Sequence, residues 1–520
     1  MSLSTFTRNP ASIGVIGMLL ITIGSFGAGS VRYRGGIVDA LGLSVITYGH
    51  AFAVFEILIW IGLVLVLASW LLVGRELIWN KDKDPDRSGT SGRLSSVNRT
   101  LIWWLIPLSF AGPLFSRDVY SYLMQGAMVR DGFDPYTQGP AANPGPMLLE
   151  VSADWRNTTT PYGPLHLGIG DVITSIFGDN IVVGVIIFRI LSILGLLAIA
   201  WSVPRIALKI GGDPVLAQWL GVLNPLVVLH LVGGLHNEAI MVGLVSLALL
   251  CSLSLPSVRG VVAASVLVGL AIALKATAII ALPFLVWIAL TRTASLDTWK
   301  ETFRRVPQLL ASGIGMVAGA VATIAAVTWI TGTSWGWLTE ISGNTKVINP
   351  LAFPSAVAGA ISGVLGMFSD NVSFNAIVEV TRIISMVIML VGLVVVWFMF
   401  RQNPLRNVAG ICAAYAVAVV FNSVTLPWYY ASLLTFIGAI RPRRWVVQLT
   451  VIFTFILTLS FAGGGNNRFY EPIWMLAITI AAILSTRWLV TGSWRNRMNW
   501  RGAHGDGEDS AVNYAGSTAQ

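Results

Sequence analysis

The chain has 520 residues, of which 55% are hydrophobic and only 11% are charged. A soluble domain carries about a quarter charged residues, so this composition excludes an ordinary water-soluble protein. The formal net charge of +9 does not indicate nucleic-acid binding, because the basic residues form short clusters between apolar segments. Composition therefore predicts an all-α polytopic membrane protein with membrane lipids, and no nucleic acid, as partners.

Apolar segments close to the length that crosses a hydrocarbon core recur along the chain. They lack the alternation of apolar and polar residues that barrel strands show, so helices are predicted. We predict about fourteen transmembrane helices, at residues 13–30, 51–73, 100–115, 182–203, 215–232, 238–254, 259–274, 277–291, 309–331, 377–400, 408–424, 428–440, 446–463 and 473–490. The first is predicted to be an uncleaved span rather than a signal peptide, because a polytopic chain follows it directly.

Basic residues separate cleanly between alternate connections. With the N-terminus in the cytoplasm, 23 of the 33 Lys and Arg residues fall in cytoplasmic segments and 8 in outer segments, while Arg189 and Arg382 lie within spans. Both termini are therefore predicted to be cytoplasmic, with the protein in the cytoplasmic membrane. Two outer segments, 116–181 and 332–376, are too long to be simple turns. The apolar, Gly-rich stretch 351–368 is predicted to be a re-entrant or interfacial element.

Three parts are predicted along the chain. Residues 1–290 form a membrane module that contains the long outer loop after the third span, and residues 291–490 form a second membrane module. The polar, Gly-rich segment 491–520 is predicted to be a disordered cytoplasmic tail. Cys251 and Cys412 both lie in predicted spans, so neither a metal cluster nor a disulfide is predicted.

The first long outer segment opens with an acidic residue directly after the third span. A helix that starts at Ser116 would place Asp118, Tyr122 and Gln125 on one face. Its other side would be apolar and able to lie on the bilayer, with Val119, Leu123 and Met128. A carboxylate fixed at this boundary is suited to general-base catalysis. The alternative is that Asp118 merely complements the dipole of the first helical turn.

Two further motifs follow in the same outer segment. Asp134 and Tyr136 flank Pro135, and Tyr162 stands in a Pro-Tyr-Gly-Pro sequence. Each motif restricts the backbone with proline and presents an aromatic hydroxyl. Such rings can pack against sugar faces, although they also fit an aromatic belt at the membrane interface. Asp134 before proline is a turn signal first and a candidate ligand second.

Polar residues also cluster at the predicted outer end of the fifth span. His236, Asn237 and Glu238 follow one another at membrane depth, where ionisable groups are costly and are usually functional. The alternative is that Asn237 caps the next helix and Glu238 complements its first turn. The spacing to His230 is not a recurrent zinc-ligand pattern, so no metal is predicted.

Lys275 interrupts an apolar run where the seventh span turns into the eighth. It can extend to the outer interface by snorkelling, or bind a lipid phosphate as a point charge. Arg468 stands against the positive-inside trend, and arginine is suited to phosphate recognition. Trp428 and Tyr429 are candidate substrate contacts, with interfacial anchoring as the alternative.

These motifs resemble a known family of membrane glycosyltransferases. The resemblance rests on four motifs: Ser116 to Tyr122 with Gln125-Gly126, Gly132 to Tyr136, Tyr162 to Pro164, and Gly233 to Glu238. They are similar to the actinobacterial α-(1→6)-mannopyranosyltransferases, types A and B, with a lean towards type B. Those are GT-C glycosyltransferases, polytopic enzymes that use polyprenyl-phosphate sugars outside the cytoplasmic membrane.

The resemblance implies a reaction and roles for these residues. Polyprenyl-phosphate-mannose would be the donor, and the α-(1→6)-mannan backbone of lipomannan and lipoarabinomannan would be the glycolipid acceptor. Transfer would invert the anomeric centre in a single displacement, with no metal or other cofactor. Asp118 would be the catalytic base, and Lys275, Arg468 and Arg117 the candidate cations for the donor phosphate. The family usually places its catalytic loop after the first span, whereas two spans precede it here, which leaves Asp39 as a rival base.

Two other functions compete with the enzyme. A flippase for a lipid-linked sugar would bind the same phosphate but would need no base. A non-catalytic assembly subunit would turn over no donor by itself. A transporter would show broken helices and polar sites near the bilayer midplane, whereas here the charged residues collect at one interface. The sequence therefore favours the transferase.

Overall fold

A computed structural model describes residues 9–33, 35–79, 89–343, 348, 350–369 and 371–491. Over these residues the chain is helical and has no β-strand, and Phe461 and Asn467 form an isolated antiparallel bridge. The prediction of an all-α protein is confirmed. The predicted tail, apart from Thr491, lies outside the described residues, as does the basic cluster within residues 80–88.

Eighteen helices are numbered here in chain order, and the helices Ile37–Ala40, Trp299–Arg304 and Trp337–Gly343 and the short helical turns are named by their residues. The helices are α1 Pro10–Ala28, α2 Gly49–Gly74, α3 Thr90–Leu108, α4 Asp118–Arg130, α5 Pro164–Phe177, α6 Ile181–Lys209, α7 Pro214–Val222, α8 Pro225–Gly233, α9 Glu238–Ser254, α10 Ser257–Leu274, α11 Ala276–Thr291, α12 Val306–Thr331, α13 Phe353–Gly366, α14 Phe374–Met399, α15 Pro404–Phe421, α16 Ala431–Ile437, α17 Arg444–Thr458 and α18 Pro472–Val490.

Long apolar helices identify a polytopic membrane protein. Within the described ranges, eight helices are long and apolar enough to cross a membrane, or nine if the bent pair α7–α8 is one span. Each of the fourteen predicted spans overlaps a helix or a helical turn, but the number that cross the bilayer stays a prediction. The third predicted span is displaced towards the N-terminus: α3 begins at Thr90 and ends at Leu108, and residues 111–117 form a loop. Gly112 and Pro113 explain this end, because neither residue supports a continuing helix.

Close backbone approach joins the first two helices. A Cβ atom on Gly17 of α1 would lie 2.7 Å from the carbonyl oxygen of Gly62, and one on Gly62 of α2 would lie 2.6 Å from that of Gly17. Such contacts between small residues are how apolar helices pack inside a membrane, where burial from water contributes nothing. The rings of Trp70 on α2 and Trp219 on α7 stack 4.7 Å apart, and each indole N–H donates to the other residue's carbonyl.

Helix α4 is enclosed by protein on every side. Every residue from Val119 to Met128 is buried, and α4 packs closely on α5, where a Cβ on Gly126 would lie 2.1 Å from the carbonyl carbon of Gly170. The expectation that Val119, Leu123 and Met128 lie on the bilayer was therefore wrong. The apolar pattern was real, but tertiary packing against α5 and α6 covers it.

The apolar stretch 351–368 forms α13, a helix of 14 residues. At about 1.5 Å per residue it is roughly 21 Å long, which is shorter than a hydrocarbon core of about 30 Å. It packs on α14, where the Thr381 hydroxyl donates to the Pro354 carbonyl at 2.9 Å. A re-entrant or interfacial position fits this length and stays a prediction.

Candidate active site

Loops that are distant in sequence meet around the start of α4. The N–H of Leu114 donates to the Gly233 carbonyl at 3.0 Å, and that of Phe115 donates to the Gly463 carbonyl at 2.7 Å. On the other side, the Gly163 N–H donates to the Leu274 carbonyl at 3.3 Å. These hydrogen bonds join the segments before α4, after α8, before α5, after α10 and after α17. Segments that the sequence predicts on one face of the membrane are therefore neighbours.

A buried arginine holds two of these loops together. Arg189 lies within α6 and is 4% exposed. Its guanidinium donates to Ala111 at 2.7 Å, to Gly112 at 3.2 Å, to Gly233 at 3.3 Å and to the Val232 carbonyl. Loop carbonyls in an apolar interior need such donors, because an unsatisfied backbone group there is costly. The sequence identified Arg189 as an unusual charge within a span, and its partners explain why it is there.

Asp118 is the first residue of α4, and its side chain is 15% exposed. Its N–H donates to the Ser116 hydroxyl at 3.0 Å, and Phe115 takes a left-handed backbone conformation that turns the chain into the helix. The carboxylate Oδ2 lies 3.5 Å from Nδ1 of His236. Burial raises the pKa of Asp118, but contact with His236 and the charge of Lys275 outweigh burial, so its pKa lies below the usual aspartate value.

His236 is fully buried and is fixed on two sides. Its ring stacks on that of Trp428, with centroids 3.6 Å apart and planes 14° from parallel. On the other side, Leu235 takes a left-handed conformation, and a Cβ on Gly234 would lie 2.7 Å from the His236 ring. The loop after α8 therefore leaves the imidazole one position, directed at Asp118.

Lys275 forms a buried ion pair with Glu238. Its ammonium group donates to Glu238 Oε1, and the two side chains are 9% and 1% exposed. The ammonium also lies 4.3 Å from the ring centre of Tyr429 and 5.5 Å from that of Tyr162. Lys275 is thus enclosed by one carboxylate and two aromatic rings.

Asp118, His236, Lys275 and Glu238, with the residues that contact them, are called the Asp118 cluster below. A second histidine belongs to this cluster, and the sequence analysis missed it. His166 on α5 is 2% exposed, and its Nδ1 lies 3.3 Å from the amide nitrogen of Asn237. Its ring contacts Tyr122 and Tyr162, with centroids at 4.6 and 4.4 Å. His166 stands four residues after Tyr162, within an apolar helix, and a lone histidine in such a helix carries no signal of its own in the sequence.

Several buried polar atoms in this cluster have no hydrogen-bond partner among the described residues. They are the hydroxyl of Tyr122, Oε1 of Gln125, Nε2 of His166, both ring nitrogens of His236, Oδ1 of Asn237, Oε2 of Glu238 and Nε1 of Trp428. Buried polar groups are nearly always hydrogen-bonded, so a concentration of exceptions calls for an explanation. Donors and acceptors are mixed in this set, which suits a ligand that has many hydroxyl groups.

Two predicted phosphate-binding arginines have partners elsewhere. Arg117 donates to the Glu150 carboxylate at 2.9 Å, to the Glu150 carbonyl at 3.0 Å and to the Val31 carbonyl at 2.7 Å. Arg468 donates to Glu471 at 3.0 Å and lies 3.5 Å from Glu56. Neither guanidinium contacts Lys275 or Asp118 in the part of the chain that the structure describes. Their phosphate role stays a prediction, and their contacts favour a structural one.

Asp134 and Tyr136 form a turn rather than part of the Asp118 cluster. Asp134 Oδ1 accepts the Tyr136 N–H at 2.9 Å, as the turn alternative expects. The Tyr136 ring is buried against Gly336, since a Cβ there would lie 2.6 Å from the tyrosine Cβ. The two long predicted outer segments are thereby in contact. A second contact joins them, because the Thr159 hydroxyl donates a hydrogen bond to the Glu340 carboxylate.

The rival base lies in a different place. Asp39 is exposed and accepts the Ser44 hydroxyl at 2.6 Å. It lines a cavity of about 820 Å³ between the end of α1, the segment 31–48 and α6. Tyr120, which also lines this cavity, is two residues after Asp118 and therefore on the opposite side of α4. Within the part of the chain that the structure describes, Asp39 contacts no histidine, whereas Asp118 has His236 at 3.5 Å.

Among the described residues, no group of three or more His, Cys, Asp and Glu side chains is arranged to hold a metal ion. The predicted independence of metals and cofactors stays a prediction.

Family comparison decides the assignment. Residues 11–291 match the family described as "Alpha-(1->6)-mannopyranosyltransferase, N-terminal domain", and residues 354–491 match the "MptB C-terminal domain". The chain belongs to the α-(1→6)-mannopyranosyltransferase family. The first match covers every residue of the Asp118 cluster up to Lys275, and the second covers Trp428 and Tyr429.

Individual relatives agree over most of their length. The chain is 51% identical to alpha-(1->6)-mannopyranosyltransferase A of Corynebacterium glutamicum over 478 residues, which are 91% of this chain and 95% of the relative. It is 35% identical to the type A protein of Mycobacterium tuberculosis, covering 92% and 89% of the two chains. The type B protein of Corynebacterium glutamicum is 31% identical, covering 80% and 70%. The lean towards type B is not confirmed.

Proposed function

We propose that the protein transfers mannose from polyprenyl-phosphate-mannose to the α-(1→6)-mannan backbone of lipomannan and lipoarabinomannan, at the outer face of the cytoplasmic membrane. The observation that carries the proposal is the half-buried Asp118 carboxylate, which His236 contacts at 3.5 Å and which the charge of the buried Lys275 helps to keep ionised. Membership of the α-(1→6)-mannopyranosyltransferase family supports mannose as the sugar and the α-(1→6) linkage.

Asp118 acts as the general base in a single inverting displacement. Its carboxylate takes the proton of the acceptor 6-hydroxyl, and the oxygen forms a bond to the anomeric carbon. The bond from that carbon to the phosphate oxygen breaks, and the polyprenyl phosphate leaves with the electron pair. The lowered pKa of Asp118 supports this role, because a base must be ionised before it accepts a proton.

Lys275 stabilises the leaving phosphate. Negative charge grows on the bridging oxygen as the bond breaks, and a cation already fixed in a buried site stabilises that charge without further reorganisation. Glu238 keeps the lysine charged when no phosphate is bound, and the rings of Tyr162 and Tyr429 keep it in place. The lysine pairs with the Glu238 carboxylate when the site is empty. Because a phosphate is also an anion, it can replace part of that contact when the donor binds.

Sugar hydroxyls satisfy the buried polar atoms that the protein leaves without partners. His166, Asn237 and Gln125 offer both donors and acceptors that no described protein group satisfies. A pocket built to hydrogen-bond hydroxyl groups discriminates strongly against a sugar that lacks one, because its own polar atoms then stay unsatisfied. The Trp428 ring, which covers His236, supplies the flat apolar surface that sugar faces contact.

Transfer of labelled mannose tests the proposal. Membranes that contain the wild-type protein, Asp118→Asn or Asp154→Asn are incubated with polyprenyl-phosphate ¹⁴C-mannose and a short α-(1→6)-mannoside. Asp154 is the matched control, because it is an exposed carboxylate of the same segment whose side chain accepts the Ser152 hydroxyl. We expect wild type and Asp154→Asn to label the acceptor and Asp118→Asn to lose at least about 100-fold in rate.

Other outcomes identify the competing functions. If the wild type transfers no mannose but moves the donor across sealed vesicles, the protein is a flippase. If Asp118→Asn retains the wild-type rate, Asp118 is not the base. A purified wild-type protein that turns over no donor until another protein is added would be an assembly subunit.

A further inference from the structure

His236 is held in a way that a sugar contact does not require. The imidazole lies between Trp428, at a centroid distance of 3.6 Å, and Gly234, whose Cβ would lie 2.8 Å from Nε2. Leu235 holds the strained left-handed conformation that presents the ring. A residue other than glycine at 234 would displace the imidazole, so backbone and ring stacking together leave it one orientation.

The atom that this orientation turns towards Asp118 is Nδ1. It lies 3.5 Å from Oδ2 and has no other hydrogen-bond partner among the described residues, while the Asp118 backbone N–H is already engaged with Ser116. A neutral imidazole carries one N–H, and the adjacent carboxylate favours the tautomer with that hydrogen on Nδ1. A carboxylate that lies 15% exposed beside an N–H donor is kept ionised and kept from rotating away.

We propose that His236 is a positioning residue that donates its Nδ1–H to Asp118 and holds the carboxylate ionised and aimed at the acceptor hydroxyl. The inference rests on the proposed function, in which Asp118 is the base. His236 then acts through Asp118 and not as a sugar contact, and its effect appears in the rate and in the pH at which Asp118 is protonated. Trp428 serves the same end, because it fixes the ring that fixes the carboxylate.

Other titratable groups surround Asp118 and determine its pKa when His236 is removed. They are Tyr122 on its own helix, Tyr162 and His166 from the start of α5, Lys275 with its partner Glu238, and Tyr429. Lys275 also favours the ionised carboxylate, whereas burial opposes it. Removal of His236 leaves burial opposed by Lys275 and Ser116, so the pKa of Asp118 rises.

Two substitutions separate the hydrogen bond from the packing. His236→Phe keeps a ring that stacks on Trp428 but has no N–H, whereas His236→Asn loses the stacking and places an amide N–H near the position of Nδ1. Initial rates of mannose transfer by the full-length protein in membranes are measured between pH 4 and pH 9. For His236→Phe we expect kcat to fall about 10- to 100-fold with an unchanged donor KM, and the acid limb of the rate profile to move to higher pH. His236→Asn should recover part of the rate and return the acid limb towards that of the wild type.

A role in packing or in sugar binding gives a different result. If His236→Phe keeps the acid limb of the wild type, or if His236→Asn is no better than His236→Phe, the inference is overturned. Should His236→Phe fail to accumulate in the membrane, the same pH series is measured on His236→Gln. The amide of glutamine lies one bond further out than Nδ1, so it should not replace the contact with Asp118, and the acid limb should again move to higher pH. In the Asp118→Asn background, His236→Phe should cost nothing further. An Asp118→Asn protein that is as active as wild type overturns the proposed function instead, whatever His236 does.

Discussion

Removal of the Lys275 charge alone should lower the stability of the folded protein. Removal of both charges of the Lys275–Glu238 pair should lower it much less. The Lys275 and Glu238 side chains are 9% and 1% exposed, so the pair belongs to the buried class and not to surface pairs, which contribute about 0–1 kcal/mol. Breaking a buried pair leaves a desolvated charge and costs about 3–5 kcal/mol, whereas apolar replacement of both partners is close to neutral. Lys275→Met should therefore destabilise by about 3–5 kcal/mol, and Lys275→Met combined with Glu238→Leu should recover most of that loss.

Stability and activity then separate the structural role of the pair from its role in catalysis. Thermal unfolding of the detergent-purified proteins gives the stability, and ¹⁴C-mannose transfer at several donor concentrations gives kcat and the donor KM. The recovered double variant should still fail to transfer, because neither residue can stabilise the leaving phosphate. A Lys275→Met protein as stable as wild type would refute the argument from burial. A double variant with wild-type kinetics would remove Lys275 from the site.

Two further predictions concern the loop before α5 and the orientation of the chain. Gly163→Ala should lower the rate of mannose transfer at least 10-fold, because the new Cβ would lie 2.3 Å from a carbonyl oxygen at the end of α10. The control Gly145→Ala, whose Cβ would have no atom within 4 Å, should leave activity unchanged and stability unchanged within about 0.5 kcal/mol. Equal activity of the two variants would contradict the close approach at Gly163. In a protein without its native cysteines, a cysteine at Thr90 should resist a membrane-impermeant maleimide in intact cells and one at Ser334 should react, because the charge distribution places them on opposite sides. Labelling of both, or of Thr90 instead of Ser334, would overturn the predicted topology.

Local pattern predicted the element that carries the candidate base. Helix α4 begins two residues after the predicted start, and it does place Asp118, Tyr122 and Gln125 within two turns of one another. Helical periodicity depends on neighbours in sequence, so a short stretch of sequence is enough to find it. The same pattern gave the wrong surroundings for the apolar side of α4, because packing against α5 and α6 depends on contacts between distant segments.

Charge in the sequence identified unusual residues without identifying their partners. Lys275, Arg468 and Arg117 are all candidate phosphate cations from the sequence, with Lys275 the strongest. Arg117, however, pairs with Glu150, and Arg468 pairs with Glu56 and Glu471. An arginine against the positive-inside trend signals a partner, which is as readily a carboxylate of the protein as a ligand. His166 went unnoticed for the converse reason, since its importance lies in Asn237 and two tyrosine rings that only the fold brings to it.

The candidate site needs both predicted membrane modules. Most of its polar residues lie before residue 291, where the recognisable motifs are, but two of its walls come from the segment before α16. Trp428 stacks on His236 and the Tyr429 ring lies over the Lys275 ammonium, so the second predicted module fixes both the partner of the candidate base and the candidate phosphate cation. Gly463 binds the Phe115 N–H and thereby supports the turn that presents Asp118. The N-terminal module without these walls would expose the ion pair to water and free the imidazole to rotate, so the second predicted module is part of the candidate active site and not an accessory to it.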